Sequence, residues 1–230
     1  GQDKSALAIR DINQFYNAAT DPYFVKLAKA HEDEHDAKLA SYLYKTLRET
    51  SSAAGYIYQQ SKIYNTTQQY PDTPIGKRMK TIGSLIVSNT NTDVYYLSHG
   101  SFDTHVGQLD RQKKLFEELD GALTALVADL KQNNRFNDTL IMTFSEFGRR
   151  VAQNASNGTD HGTANSMFLI GGGIKKGGLY NDIPSLAQLD EGDLKHEVDF
   201  KQVYTTVLDR WLSTDPQTIL GRKYTPLTFI

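Results

Sequence analysis

The sequence predicts an α/β fold, a largely parallel central sheet flanked by helices, with a helical segment at the N-terminus. Two observations predict it. A β-type run, Asp93-Val-Tyr-Tyr-Leu-Ser98, and a second, Thr139-Leu-Ile-Met-Thr-Phe144, bracket a long amphipathic stretch at about 108–132. A strand–helix–strand unit of that kind takes a right-handed crossover and leaves its strands parallel. Upstream, residues 5 to about 62 carry apolar positions at three-to-four spacing and no β-type run, so helices alone are expected there. The expected organisation is a helical segment or subdomain over 1–75 and an α/β domain over 76–230.

Within the first segment the apolar positions are Ile9, Ile12, Phe15 and Tyr16, then Phe24, Leu27 and Ala28, then Leu39, Leu43 and Leu47. Asp21-Pro22 breaks the run, with Asp as N-cap and Pro at the first helical position. Residues 63–76 are rich in Thr, Pro, Asn and Gly and read as a loop that could act as a hinge. A helix over roughly 76–89 follows, from Ile75, Met79, Ile82, Leu85 and Ile86. The strongest helix, at 108–132, carries Leu109, Phe116, Leu119, Leu123, Leu126 and Leu130. A third β run, Ser166-Met-Phe-Leu-Ile170, enters Gly171-Gly-Gly173, and a last helix at about 199–213 has the stripe Phe200, Val203, Tyr204, Val207, Leu208, Trp211 and Leu212.

Composition narrows the chemistry. The 25 Lys plus Arg and 27 Asp plus Glu leave a formal charge of −2, with no basic excess for nucleic acid or an anionic membrane. No apolar run is long enough to span a bilayer. With no cysteine, thiolate catalysis, disulfides and Cys-ligated zinc are excluded, so His, Asp and Glu are the strong metal ligands available. The opening Gly1-Gln2-Asp3 lacks an initiator Met, which suggests part of a longer polypeptide.

The candidate metal ligands are Asp103, His105, Glu146, Asp160 and His161. In a sheet of the expected type, FDTH at 102–105 and SEFGR at 145–149 follow the carboxyl ends of two strands, where ligands bind. Carboxylates and imidazoles arriving from separate segments suit hard or borderline divalent cations. Structural roles are open for each. Asp103 or Thr104 could cap the 108–132 helix, Glu146 could pair with Arg149 or Arg150, and Asp160 could form an Asx turn.

Two other patterns carry less. His31-Glu-Asp-Glu-His35 fits H-E-x-x-H, which sets two zinc-binding imidazoles on one helix face beside a general-base Glu. Asp33, Glu34 and Asp36 make this turn a strongly acidic, solvated face, whereas a protease helix is buried behind its metal. Gly171–Gly178 lacks the order of a phosphate-binding loop and opens no helix, so a turn is expected, with Lys175 and Lys176 as possible anion contacts.

Taken together, Tyr70-Pro-Asp-Thr-Pro-Ile-Gly, GSFDTHVGQ at 100–108, TFSEFGRRVAQNASNGTDHGTA at 143–164, LIGGGIKKGGLY at 169–180 and VDFKQVYTTVLDRWL at 198–212 resemble the bacterial family catalogued as domain of unknown function 1501. That family is grouped with the alkaline phosphatase and sulfatase superfamily. The resemblance covers about residues 56–230; residues 1–55 match loosely. It implies an alkaline-phosphatase-like domain holding a divalent metal, zinc first and manganese, magnesium or calcium as alternatives, and acting on anionic phosphate or sulfate esters, small or polymeric. Asp103 and His105 look like the Asp and His of one superfamily metal, and His161 like its later His ligand. Glu146 sits where the superfamily shows Asp-His, and Phe147 stands in place of that imidazole, which puts a two-zinc centre in doubt. Asp160 is a ligand or an acceptor orienting His161, and Arg149 or Arg150 is the candidate catalytic anion clamp. No β run precedes residue 90 to carry the superfamily's Ser, Thr or formylglycine nucleophile. Family members commonly begin with a twin-arginine export leader, so the resemblance implies a periplasmic or exported protein of which this chain is the carboxyl-terminal part. A non-catalytic binding or assembly module is the alternative, and an H-E-x-x-H protease a third.

Overall fold

The computed structural model describes residues 6–30 and 38–230. They form two compact units, the described residues up to 67 with 81–91, and residues 68–80 with 92–230. The break at Thr67/Gln68 lies inside the loop expected from its Thr, Pro and Asn content, and the helix that follows is shared between the units.

The first unit is helical. It contains α1 (Ile12–Ala19), α2 (Pro22–Ala30), α3 (Lys38–Ile63) and the end of α4 (Pro74–Val87). Asp11 caps α1 by accepting from the Gln14 amide, and Asp21 accepts from the Tyr23 amide ahead of Pro22, as the sequence predicts. Tyr16 of α1 stacks on Tyr58 of α3 with ring centroids 4.0 Å apart, and the Ser51 hydroxyl donates to the Ala19 carbonyl where α1 ends. Ala54, Ser84 and Leu85 are buried in this unit.

The second unit holds the chemistry. Its long helix, α5 (Gln108–Gln132), has the predicted limits, but of the predicted stripe only Leu126 and Leu130 are buried, together with Ala122, Ala125 and Asp129 in the C-terminal half. Leu109 is 83% exposed, so the apolar spacing near the helix start marks a surface. Pro71 packs 3.1 Å from the position a Cβ on Gly121 would take, and the fully buried Asp129 accepts from the Tyr70 hydroxyl at 3.0 Å. Those contacts pin residues 68–71 onto α5. Burial of Ile75 and Leu130, both at 2% exposure or less, stabilises this core by about 1.5–3 kcal/mol per side chain.

The largely parallel central sheet expected from the sequence is not what the described residues show; there are two small antiparallel sheets. Strand β1 (Leu140–Met142) pairs with β4 (Leu169–Gly171), and β2 (Gly148–Arg149) pairs with β3 (His161–Gly162). These pairings are nested, Leu140 opposite Gly171 and Arg149 opposite His161, so 140–171 forms one arm folded back on itself. The Thr143 amide donates to the Phe168 carbonyl and the Arg150 amide to the Asp160 carbonyl, extending the ribbon between and beyond the two ladders. The run 93–98 belongs to no sheet among the described residues. Its expected parallel partner, β1, is engaged by β4 instead. Alternation survives there without a ladder: Tyr95 and Leu97 are half-buried while Val94 and Tyr96 are exposed.

The C-terminal helix starts at Asp199, whose carboxylate accepts from the Lys201 amide, and runs as α6 (Phe200–Thr206) into a π-helical turn over Val207–Trp211. A short α7 (Pro216–Leu220) is capped by Asp215. After β4 the glycines form a turn, as expected. Lys175, a possible anion contact by sequence, donates its ammonium to the Ile230 carbonyl. No helix among the described residues is long and apolar enough to cross a membrane.

Candidate metal centre

Alternation along an extended chain decides which side chains meet. Asp103 and His105 are two apart and share a side, while the intervening Thr104 is 1% exposed on the opposite side and accepts from Gln112 through its Oγ1. Ser101, at φ 74°, and Gly107, at φ 54°, bracket the segment with left-handed turns. Gly107 occupies the N-cap position of α5, which has no side-chain cap, so neither Asp103 nor Thr104 plays the capping role considered from sequence.

His161 reaches the same place from the ribbon. Its Nε2 lies 2.8 Å from Asp103 Oδ1, and His105 Nδ1 lies 2.9 Å from the same oxygen. The two imidazole centroids are 5.0 Å apart. One ligand atom from each of Asp103, His105 and His161 lies within 4.8 Å of the other two. The hydrogen bond with His161 is the main cause that holds the Asp103 carboxyl below its usual range; burial opposes it, and the neighbouring His105, His161 and Arg149 each add a smaller lowering effect. An ionised carboxylate therefore stands between two imidazoles, all three side chains between two-fifths and three-fifths exposed.

This donor set fits a divalent cation. One hard oxygen and two borderline nitrogens suit zinc, whose bonds of about 2.0–2.2 Å place tetrahedral ligand atoms roughly 3.3 Å apart. The two oxygen–nitrogen distances, 2.8 and 2.9 Å, would open by about half an ångström, and the two imidazoles supply ligand atoms within 4.8 Å of each other.

Two glycines allow the convergence. A Cβ on Gly158 would lie 2.2 Å from the His105 carbonyl carbon and oxygen, so the tip loop of the ribbon packs directly on the ligand-bearing segment. Gly107 and Gln108 amides donate to the Ser156 and Asn157 carbonyls, tying that loop to the start of α5. Asn154 completes the junction. Its amide nitrogen donates to the His105 carbonyl, and its oxygen accepts from the Ser156 and Gly158 amides. Asn154 was not singled out by sequence; an Asn four residues before a Gly in an Asn/Ser-rich loop is the signal it leaves.

The other two candidate ligands, Glu146 and Asp160, lie outside this cluster, whereas Arg149 borders it. Glu146 is exposed and outside the cluster. Asp160 faces Asn154, whose amide lies 3.4 Å from its Oδ1. Arg149 is 17% exposed; its guanidinium donates to the carbonyls of Phe102 and Thr159 and lies 3.5 Å from Asp103 Oδ1. It braces the two chains that carry the ligands. Arg150 turns to Asp193, with Nε 3.4 Å from its Oδ1. Phe147 lies flat against His161, centroids 3.8 Å apart and planes 7° from parallel, and the Arg149 guanidinium sits 4.9 Å from its ring. The motif at 31–35 falls outside the described residues.

The sequence profile of a family described as protein of unknown function (DUF1501) matches residues 25–223, and the chain belongs to that family. No curated protein and no solved structure matches it.

Proposed function

We propose that this member of the DUF1501 family is a metal-dependent hydrolase-like domain of the alkaline phosphatase and sulfatase type, acting on phosphate or sulfate esters. The observation that carries the reading is the convergence of Asp103, His105 and His161 on one point, from segments 58 residues apart in sequence. Zinc is the ion the donor set suits best, with manganese, magnesium and calcium as alternatives. Bound there, it would supply Lewis-acid polarisation of an ester oxygen. Arg149 already offsets the charge of Asp103 at 3.5 Å, so a dication would leave the site positive and favourable to an anionic substrate. A shallow, open cleft of about 540 Å³ between the tip loop and the start of α5, lined by Gln108, Gln112, Phe116 and Thr159, is the candidate place for the organic part of such an ester. A periplasmic or exported location goes with the family resemblance.

A second reading, a binding or assembly module without turnover, is favoured by the hydroxyls near the cluster. Thr104 Oγ1 is buried against Gln112, Ser145 donates to the Phe147 carbonyl, and Thr159 donates to Gln108. None of these three is presented as a nucleophile. The test is hydrolysis of nitrophenyl phosphate, bis(nitrophenyl) phosphate and nitrophenyl sulfate by zinc-loaded protein. Turnover abolished by His161→Ala supports the hydrolase; metal binding without turnover supports the module.

A further inference from the structure

We infer that Phe147 is a positioning residue for the metal site, its ring holding the His161 imidazole in the orientation a bound cation needs. The inference rests on the metal-site reading above.

Phe147 lies two residues before Arg149, and Arg149 stands directly opposite His161 in the β2–β3 ladder. The two aromatic rings are thus diagonal neighbours on one face of the ribbon. Their near-cofacial contact, 3.8 Å and 7°, is not the arrangement two neutral rings prefer, since their π faces repel and offset or edge-on packing is better. The energetics change when Nε2 of His161 binds a cation. The imidazole becomes electron-poor, and the Phe147 face then attracts it as an aromatic face attracts any cation. The stack therefore favours the loaded site over the empty one. Gly148 and Gly162, which admit no Cβ between the strands, fix the backbone distance at which this contact forms.

The test is zinc binding by isothermal titration, with the visible absorption of cobalt-loaded protein as a second readout, on wild type, Phe147→Leu and Phe147→Tyr. The expected result is a dissociation constant raised about 3- to 30-fold in Phe147→Leu, the range a ring–cation contact is worth, together with an altered cobalt spectrum and recovery of both in Phe147→Tyr. Wild-type affinity and spectrum in Phe147→Leu would overturn the inference and leave the metal site standing. A loss of affinity in both variants, matched by a lower melting temperature of the ion-free protein, would show a merely structural role and also overturn it. Absence of binding in the wild type would overturn the metal-site reading itself.

Discussion

Gly148→Ala should disable the site without touching any ligand. In the β2–β3 pair Gly148 stands opposite Gly162, and a Cβ at Gly148 would lie 1.7 Å from the Ala164 carbonyl oxygen, half the 3.4 Å at which ordinary contact begins. The obstructing atoms are backbone, so the strands must part. His161 is one residue from that pairing, and its Nε2 has only 2.8 Å to Asp103 Oδ1; a comparable displacement carries it beyond the reach of a shared cation. Overpacking of this kind costs about 1–3 kcal/mol, which for a chain of this size is a fall in melting temperature of roughly 2–12 °C. Zinc affinity should fall by at least the roughly 10- to 100-fold typical of lost ligand orientation. Thermal melts with and without zinc, and titration calorimetry, measure both. A variant that keeps the wild-type melting temperature and zinc affinity would refute the claim that the glycine pair sets the ligand geometry.

Gly158→Ala should act similarly from the other side, because its Cβ would strike the His105 carbonyl at 2.2 Å; zinc affinity should drop while circular dichroism stays near wild type. Arg149→Lys should lower stability by about 1–3 kcal/mol, since an ammonium cannot bridge the Phe102 and Thr159 carbonyls as the guanidinium does; unchanged stability with lost turnover would instead mark an anion clamp. The Asp215 carboxylate caps α7 and is held below its ordinary value, first by the Thr218 hydroxyl. A depressed value means that the cap's contribution is present above the ordinary pKa of 3.8 and lost as pH falls through the lower folded value. The melting-temperature gap between wild type and Asp215→Ala should therefore begin to narrow near pH 4 and close as pH falls through the lower folded value, and a gap that does not change with pH would contradict an ionised cap.

The helices were legible because their signals are local. Asp21-Pro22 sets one boundary, and the limits of α5 follow from periodicity alone. The buried half of α5 was not, since periodicity does not say where along a helix the neighbours lie, and Leu109 continues the pattern into solvent. The sheet was misread for a related reason: Asp93–Ser98 and Leu140–Met142 both have strand composition, but pairing depends on partners distant in sequence, and β4 takes the place expected for the earlier run. Of the five candidate ligands, Asp103, His105 and His161 converge. Asp160 does not, because adjacent residues in an extended chain face opposite ways and only one of Asp160 and His161 can meet Asp103. The same alternation separates Glu146 from Phe147, the residue that read as a gap in a two-metal pattern and lies flat on the ligand imidazole.

Zinc stoichiometry, measured by titration calorimetry and elemental analysis of protein without a histidine tag, tests the central claim most directly. The arrangement of Asp103, His105 and His161 predicts one tightly bound ion per chain, lost in each of Asp103→Ala, His105→Ala and His161→Ala and retained in Glu146→Ala. No bound ion in the wild type, or binding that survives all three substitutions, would contradict it.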